Sequence, residues 1–197
     1  MESTITAPVT ERRIASNGVF GMIFVLATEA MFFAGLISAY IVNRANVMVW
    51  PPAGQPRLPV GATAFNTLIL IVSAVTLYLF GRQFRAPQQY VRNNTRLLTI
   101  TLLLGTIFLI IQGTEWIQLL NFGLTTHSSI YGAFFYTLIG MHGIHVLAGL
   151  IILSYLLSSL GKLKSDESKR NKIAVCSMYW YFVVMVWPIL YALVYLS

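Results

Sequence analysis

Five long apolar runs, separated by short polar segments, set the limits on what this chain can fold into. Val19–Val42 spans 24 residues and holds one charge, Glu29; Ala62–Phe80 spans 19 and holds none. Leu97–Trp116 spans 20 and holds one, Glu115, while Ser129–Ser159 (31 residues) and Ile173–Leu196 (24) hold none. A bilayer core about 30 Å thick is crossed by about 20 apolar residues in helical form, so each run is long enough to span it. The runs are continuous rather than alternating, which argues against strands, and a helix satisfies its own backbone hydrogen bonds in lipid. The prediction is an all-α membrane protein, a five-transmembrane-helix bundle forming one membrane domain over 1–197. Its helices fall at about 19–42, 62–80, 97–116, 129–159 and 173–196, behind a polar head, 1–17. Only 10% of the residues are charged, against about 25% in soluble domains. That excludes an ordinary cytosolic enzyme, and a single cysteine, Cys176, excludes a disulfide scaffold.

The net charge of +7 is explained by where the basic residues sit. Arg12 and Arg13 lie in the head; Arg82, Arg85, Arg92 and Arg96 follow the second run; Lys162, Lys164, Lys169, Arg170 and Lys172 follow the fourth. Only Arg44 and Arg57 fall on the opposite side. Positive residues favour the cytoplasmic face, so the N-terminus is predicted inside and the C-terminus outside. Nucleic acid is not needed to account for the charge. The head is polar and the first run too long for a cleaved leader, so that run reads as a retained span. Trp50, beside Pro51 and Pro52 in the first loop, reads as an interfacial anchor.

Few residues could carry chemistry. Glu29 lies about 15 Å into the first span, near mid-bilayer, where a carboxylate must be protonated, paired or turned towards protein. It is a proton-linked or subunit-contact group on one reading, and a neutral packing acid on the other. Glu115, near the outer end of its span, is with His142 and His145 a further proton-linked or subunit-contact candidate, and on the preferred reading an interfacial acid that reaches water by snorkelling. His142 and His145 stand three residues apart on one helix face, either as a metal pair or as structural hydrogen-bonding groups, the second being preferred for want of further ligands. A haem held between two helices needs a histidine on each, and only one span has any, so this chain cannot build a bis-histidine haem site alone. Small residues, among them Ala34, Gly35, Ser38 and Ala39 in the first span and Gly132, Gly140, Gly143 and Gly149 in the fourth, suit close helix packing. Walker, dinucleotide-binding, C-x-x-C and H-E-x-x-H patterns are all absent.

Thr28-Glu29-Ala30-Met31-Phe32-Phe33-Ala34-Gly35, and then Trp50-Pro51-Pro52, resemble the acid-bearing helix of subunit III of the haem–copper oxidases and the loop after it. Gln112-Gly113-Thr114-Glu115-Trp116, then Gly140-Met141-His142-Gly143-Ile144-His145, resemble its later blocks; Tyr179-Trp180-Tyr181-Phe182 with Trp187 resembles its last helix. The chain resembles the short bacterial form of five helices. It departs at Tyr181 and Val184, where the family usually has His and Asp. The resemblance implies a non-catalytic subunit of a proton-pumping terminal oxidase in a bacterial inner membrane. It implies packing against the catalytic subunit I near its proton-uptake side, with subunit II, small subunits and membrane lipids as further partners. No cofactor is expected in this chain, haem and copper belong to the partner subunits, and bound phospholipid is expected. Glu29 maps onto the family's carbodiimide-reactive acid, and His142 and His145 onto its histidine pair; Gly35, Trp50, Gly132, Trp180 and Trp187 are expected at interfaces and packing contacts. Alternatives are a quinol-type oxidase subunit III, an accessory subunit of a nitric oxide reductase, or an independent small transporter.

Overall fold

The computed structural model describes residues 17–52, 58–83, 95–162 and 166–196. These residues form five helices: α1 (Asn17–Ala45), α2 (Val60–Gln83), α3 (Arg96–Asn121), α4 (Ile130–Leu160) and α5 (Asp166–Tyr195). All five are long and apolar enough to cross a membrane. α1, α2, α3 and α5 outrun their apolar stretches, α5 by two charged turns, because backbone hydrogen bonding continues into the headgroup layer where hydropathy falls, while α4 keeps the length of its run. The predicted head lies outside the described residues except for Asn17, which opens α1.

α5 stands at the centre. It packs on α1, α2 and α4, while α2 and α3, α3 and α4, and α4 and α1 are the other neighbouring pairs. Among the described residues α1 and α2 touch α5 but not each other. The α5–α2 seam is a ladder of aromatic donors: Trp180 Nε1 donates to Ser73 Oγ at 3.2 Å, Trp187 Nε1 to Thr67 Oγ1 at 2.8 Å, and Tyr191 OH to the Val60 carbonyl at 3.1 Å. The α5 numbers rise as the α2 numbers fall, so the two helices run antiparallel.

In lipid there is little hydrophobic drive between helices, so close fit and interhelical hydrogen bonds must hold them. Trp180 supplies both. Its ring fills the space between Gly105 of α3 and Gly149 of α4, where an added Cβ would lie 2.7 Å and 2.8 Å from it. The α3–α4 turn is set by Gly123, whose φ of 88° suits glycine. Gly123 N–H donates to the Leu120 carbonyl and Leu124 N–H to the Leu119 carbonyl, both at 3.0 Å, with Leu119 and Leu124 buried. Ser129 then caps α4 by accepting from Gly132 N–H at 3.0 Å. Gly132 packs against the Thr125 carbonyl, which leaves no room for a Cβ.

One packing expectation is corrected. Ala34, Gly35, Ser38 and Ala39 are exposed, and a Cβ added at Gly35 meets nothing within 4 Å. Their small side chains do not pack within this chain, because α1 turns its Phe33–Tyr40 face, not this one, to α4 and α5.

Candidate functional site

Among the described residues, two polar clusters built on carboxylic acids lie inside the bundle. The first joins α1 to α4: His145 Nε2 stands 2.8 Å from Glu29 Oε2. His145 Nδ1 lies 2.6 Å from the Met141 carbonyl, which can only accept, so Nδ1 carries a hydrogen. One further proton then serves the Nε2–Oε2 contact. It sits on the carboxyl, giving two neutral groups, or on the ring, giving a carboxylate and an imidazolium. The pair is net neutral either way, which relieves the cost of an acid at mid-span. The Glu29 side chain is 29% exposed and that of His145 11%, so the pair opens sideways from the bundle. Phe33 stands edge-on to the His145 ring at 5.0 Å and Phe32 stacks at 6.0 Å, fixing its orientation.

The second cluster joins α2, α3 and α5 around Glu115. Gln112 Nε2 donates to Glu115 Oε2 at 3.0 Å and to Tyr195 OH at 3.1 Å. Thr63 Oγ1 lies 3.1 and 3.2 Å from the two carboxyl oxygens and 3.0 Å from the Pro59 carbonyl. Glu115 is only 5% exposed, which corrects the snorkelling expectation. Thr63 of α2 holds it inside directly and Tyr195 of α5 through Gln112, both distant in sequence. The spacing of Gln112 and Glu115, three apart on one face, was the available signal that this face turns inward.

The two histidines diverge. His142 is 1% exposed and stacks on Trp187 at 4.9 Å, with Phe108 edge-on at 6.2 Å. Neither of its ring nitrogens has a hydrogen-bond partner among the described residues, so the hydrogen-bonding role expected for both rings holds for His145 alone. His142 acts as an aromatic plug between α3 and α5. The rings face different helices, and among the described residues no three His, Cys, Asp or Glu side chains converge as a metal-ligand set. Trp50 folds the first loop back: its Nε1 donates to Tyr40 OH at 3.2 Å, and Tyr40 OH lies 3.1 Å from the Leu193 carbonyl, to which it donates. Trp180 and Trp187 are fully buried in the α5–α2 seam, and Val184 lies in the apolar core.

Fold and site define a multi-pass, all-helical membrane protein with one intramembrane acid–imidazole pair. The chain belongs to the cytochrome c oxidase subunit III family, whose sequence pattern it matches over residues 1–197. It is 39% identical over 178 residues to a cytochrome c oxidase subunit 3 of Corynebacterium diphtheriae, covering 89% of this chain and 85% of that protein. The corresponding protein of Synechocystis sp. is 35% identical over 184 residues (90% and 75%), and that of Thermostichus vulcanus 32% over 179 (90% and 86%). As an oxidase subunit III, the chain is a component of an oxidase complex.

Proposed function

We propose that the chain is a non-catalytic subunit that packs against the haem–copper subunit I of a proton-pumping terminal oxidase and stabilises its proton-uptake side. Subunit II and small subunits complete the assembly, in a bacterial inner membrane with the N-terminus in the cytoplasm. Haem and copper reside in the partners, and phospholipid binds this chain. Three histidines and one cysteine in 197 residues, with spanning histidines on a single helix, are too few to carry electrons across a membrane.

The Glu29–His145 contact carries this reading. A mid-span acid paired with an imidazole, the pair net neutral and opening to the side of the bundle, can lie against a neighbouring subunit without presenting an unpaired charge. The pair changes net charge only when a proton enters or leaves it, so a proton-linked role is secondary to packing. The purified oxidase carrying Glu29→Ala is compared with Glu29→Gln, which keeps a hydrogen-bonding group. Subunit retention and the number of turnovers before inactivation are expected to fall for Ala and to be largely kept for Gln. Unchanged assembly and lifetime in Glu29→Ala would sink the proposal.

A further inference from the structure

A cavity of about 460 Å³ opens sideways between α3 and α4, towards the end of the bundle opposite the basic residues. It falls within the range of small-molecule sites, roughly 300–1,000 Å³. Its walls are short of side chain. Gly113 lies on α3 and Gly140 and Gly143 on α4, and the Trp116 ring reaches to 3.5 Å from where a Cβ at Gly143 would stand. A Cβ added at Gly113 meets nothing within 4 Å, whereas the notch at Gly105 of the same helix is filled by Trp180. Ile144 and Leu147, both exposed, form the rim on the outward face of α4. No charged residue is among the described residues that line it.

The polar side chains on this cavity divide into two satisfied and two unsatisfied. Tyr136 OH donates to the Leu124 carbonyl at 2.9 Å and Thr137 Oγ1 to the Ala133 carbonyl at 2.8 Å. Gln112 is 3% exposed; its Nε2 is committed to Glu115 and Tyr195, and its Oε1 has no partner among the described residues. Trp116 Nε1 is buried and likewise has none. An unmet acceptor and an unmet donor therefore sit four residues apart on one face of α3 and line one cavity. Buried groups left unpaired in this way are destabilising until something pairs them.

The geometry points to a binding site for a hydroquinone with an apolar tail, a neutral ring that carries its own hydroxyl. A hydroxyl can accept from Trp116 Nε1 and donate to Gln112 Oε1 at once. A carbonyl or phosphate oxygen has no hydrogen for Gln112, and an ammonium group has no lone pair for Trp116. Glycine walls beside an indole suit a flat ring, and the rim at Ile144 and Leu147 leads the tail into lipid. Depth decides among the neutral alcohols. Gln112 lies nine residues before Asn121, about 13 Å in from that end of α3. The heads of phospholipids and polycyclic alcohols stay in the headgroup layer, whereas a small uncharged ring can leave it once its hydroxyl finds partners. Neither α1 nor the assembly role enters; that role is tested separately, by turnover lifetime.

Full-length protein purified in mild detergent is offered, under argon, a short-tailed benzohydroquinone mixed with an equal amount of its bis-methyl ether. Retained probe is counted by native mass spectrometry. The ether accepts but cannot donate, so the hydroquinone is expected to be retained about tenfold better. Gly113→Leu fills the notch and should abolish retention of both. Gly35→Leu, an equally open glycine outside the cavity, should change nothing. Gln112→Met should remove the preference for the hydroquinone. Trp116→Phe should weaken retention of both probes about threefold and keep the preference. Gln112 also holds Glu115, so if Gln112→Met does not fold, Gly113→Leu and Trp116→Phe carry the test. No retention of either probe, equal retention of the two, or unaltered retention in Gly113→Leu or Trp116→Phe would overturn the proposal. So would a preference that survives in folded Gln112→Met. Complete displacement of the hydroquinone by excess phosphatidylcholine would also overturn it, assigning the cavity to an acyl chain.

Discussion

α1 and α5 are almost equally apolar, yet only 6% of the spanning stretch of α1 is buried within the chain, against 50% of that of α5. Hydropathy measures compatibility with lipid, and lipid is no less apolar than a neighbouring helix. What separates the two is shape and polar handles. α5 brings Trp180, Trp187 and Tyr191, each with a ring to fill a notch and an N–H or O–H to anchor it on α2. α1 buries Phe33 and Tyr40, touches only α4 and α5, and is tied to them by the Glu29–His145 contact at mid-span and by Tyr40 OH donating to the Leu193 carbonyl. Its outward face carries Phe20, Phe24 and Met31, all exposed. The centre of the bundle is held by α5, and α1 presents a surface to whatever lies outside.

The contrast is open to breakage by substitution, with stability followed by unfolding of the detergent-solubilised chain. Trp180→Ala removes the ring from between two glycines and should cost about 3–5 kcal/mol, the range for a fully buried tryptophan. Gly105→Ala and Gly149→Ala force a methyl group against the same ring and should each cost about 1–3 kcal/mol. Glu29→Ala leaves His145 Nε2 without its partner but disturbs little packing, so about 1 kcal/mol is expected, as for interhelical hydrogen bonds in membranes. Trp187→Phe keeps most of the ring and loses only the Thr67 bond, about 0.6 kcal/mol. Gly35→Leu should fall within about 0.5 kcal/mol in the isolated chain, since nothing lies within 4 Å of its added Cβ. If Gly35→Leu proves as damaging as Gly149→Ala, the distinction between an inner α5 and an outer α1 collapses. If it is silent in the isolated chain but weakens the assembled oxidase, the small-residue face of α1 is a subunit contact.

Spans, their number and their approximate limits were legible in the residues because lipid imposes one rule on every crossing segment: apolar side chains and internally bonded backbone. That rule acts locally, so a run such as Ala62–Phe80 announces α2 without its neighbours. It also singled out Glu29 and His145, whose polarity at mid-span demands a partner. Which partner each had was not legible. Glu29 and His145 are 116 residues apart, and Thr63 and Glu115 are 52 apart. Gly105 looks no different in sequence from Gly113, yet it alone of the two receives the Trp180 ring. Residue chemistry by itself determined that five helices would cross a membrane and that a few polar groups inside them would need company. Only the tertiary structure decided that α5 is the hub, that α1 is the flank, that Glu115 is sealed in and that His142 stacks rather than bonds, because those outcomes depend on how helices rotate about their axes, and hydropathy that is nearly uniform around each helix leaves that rotation free.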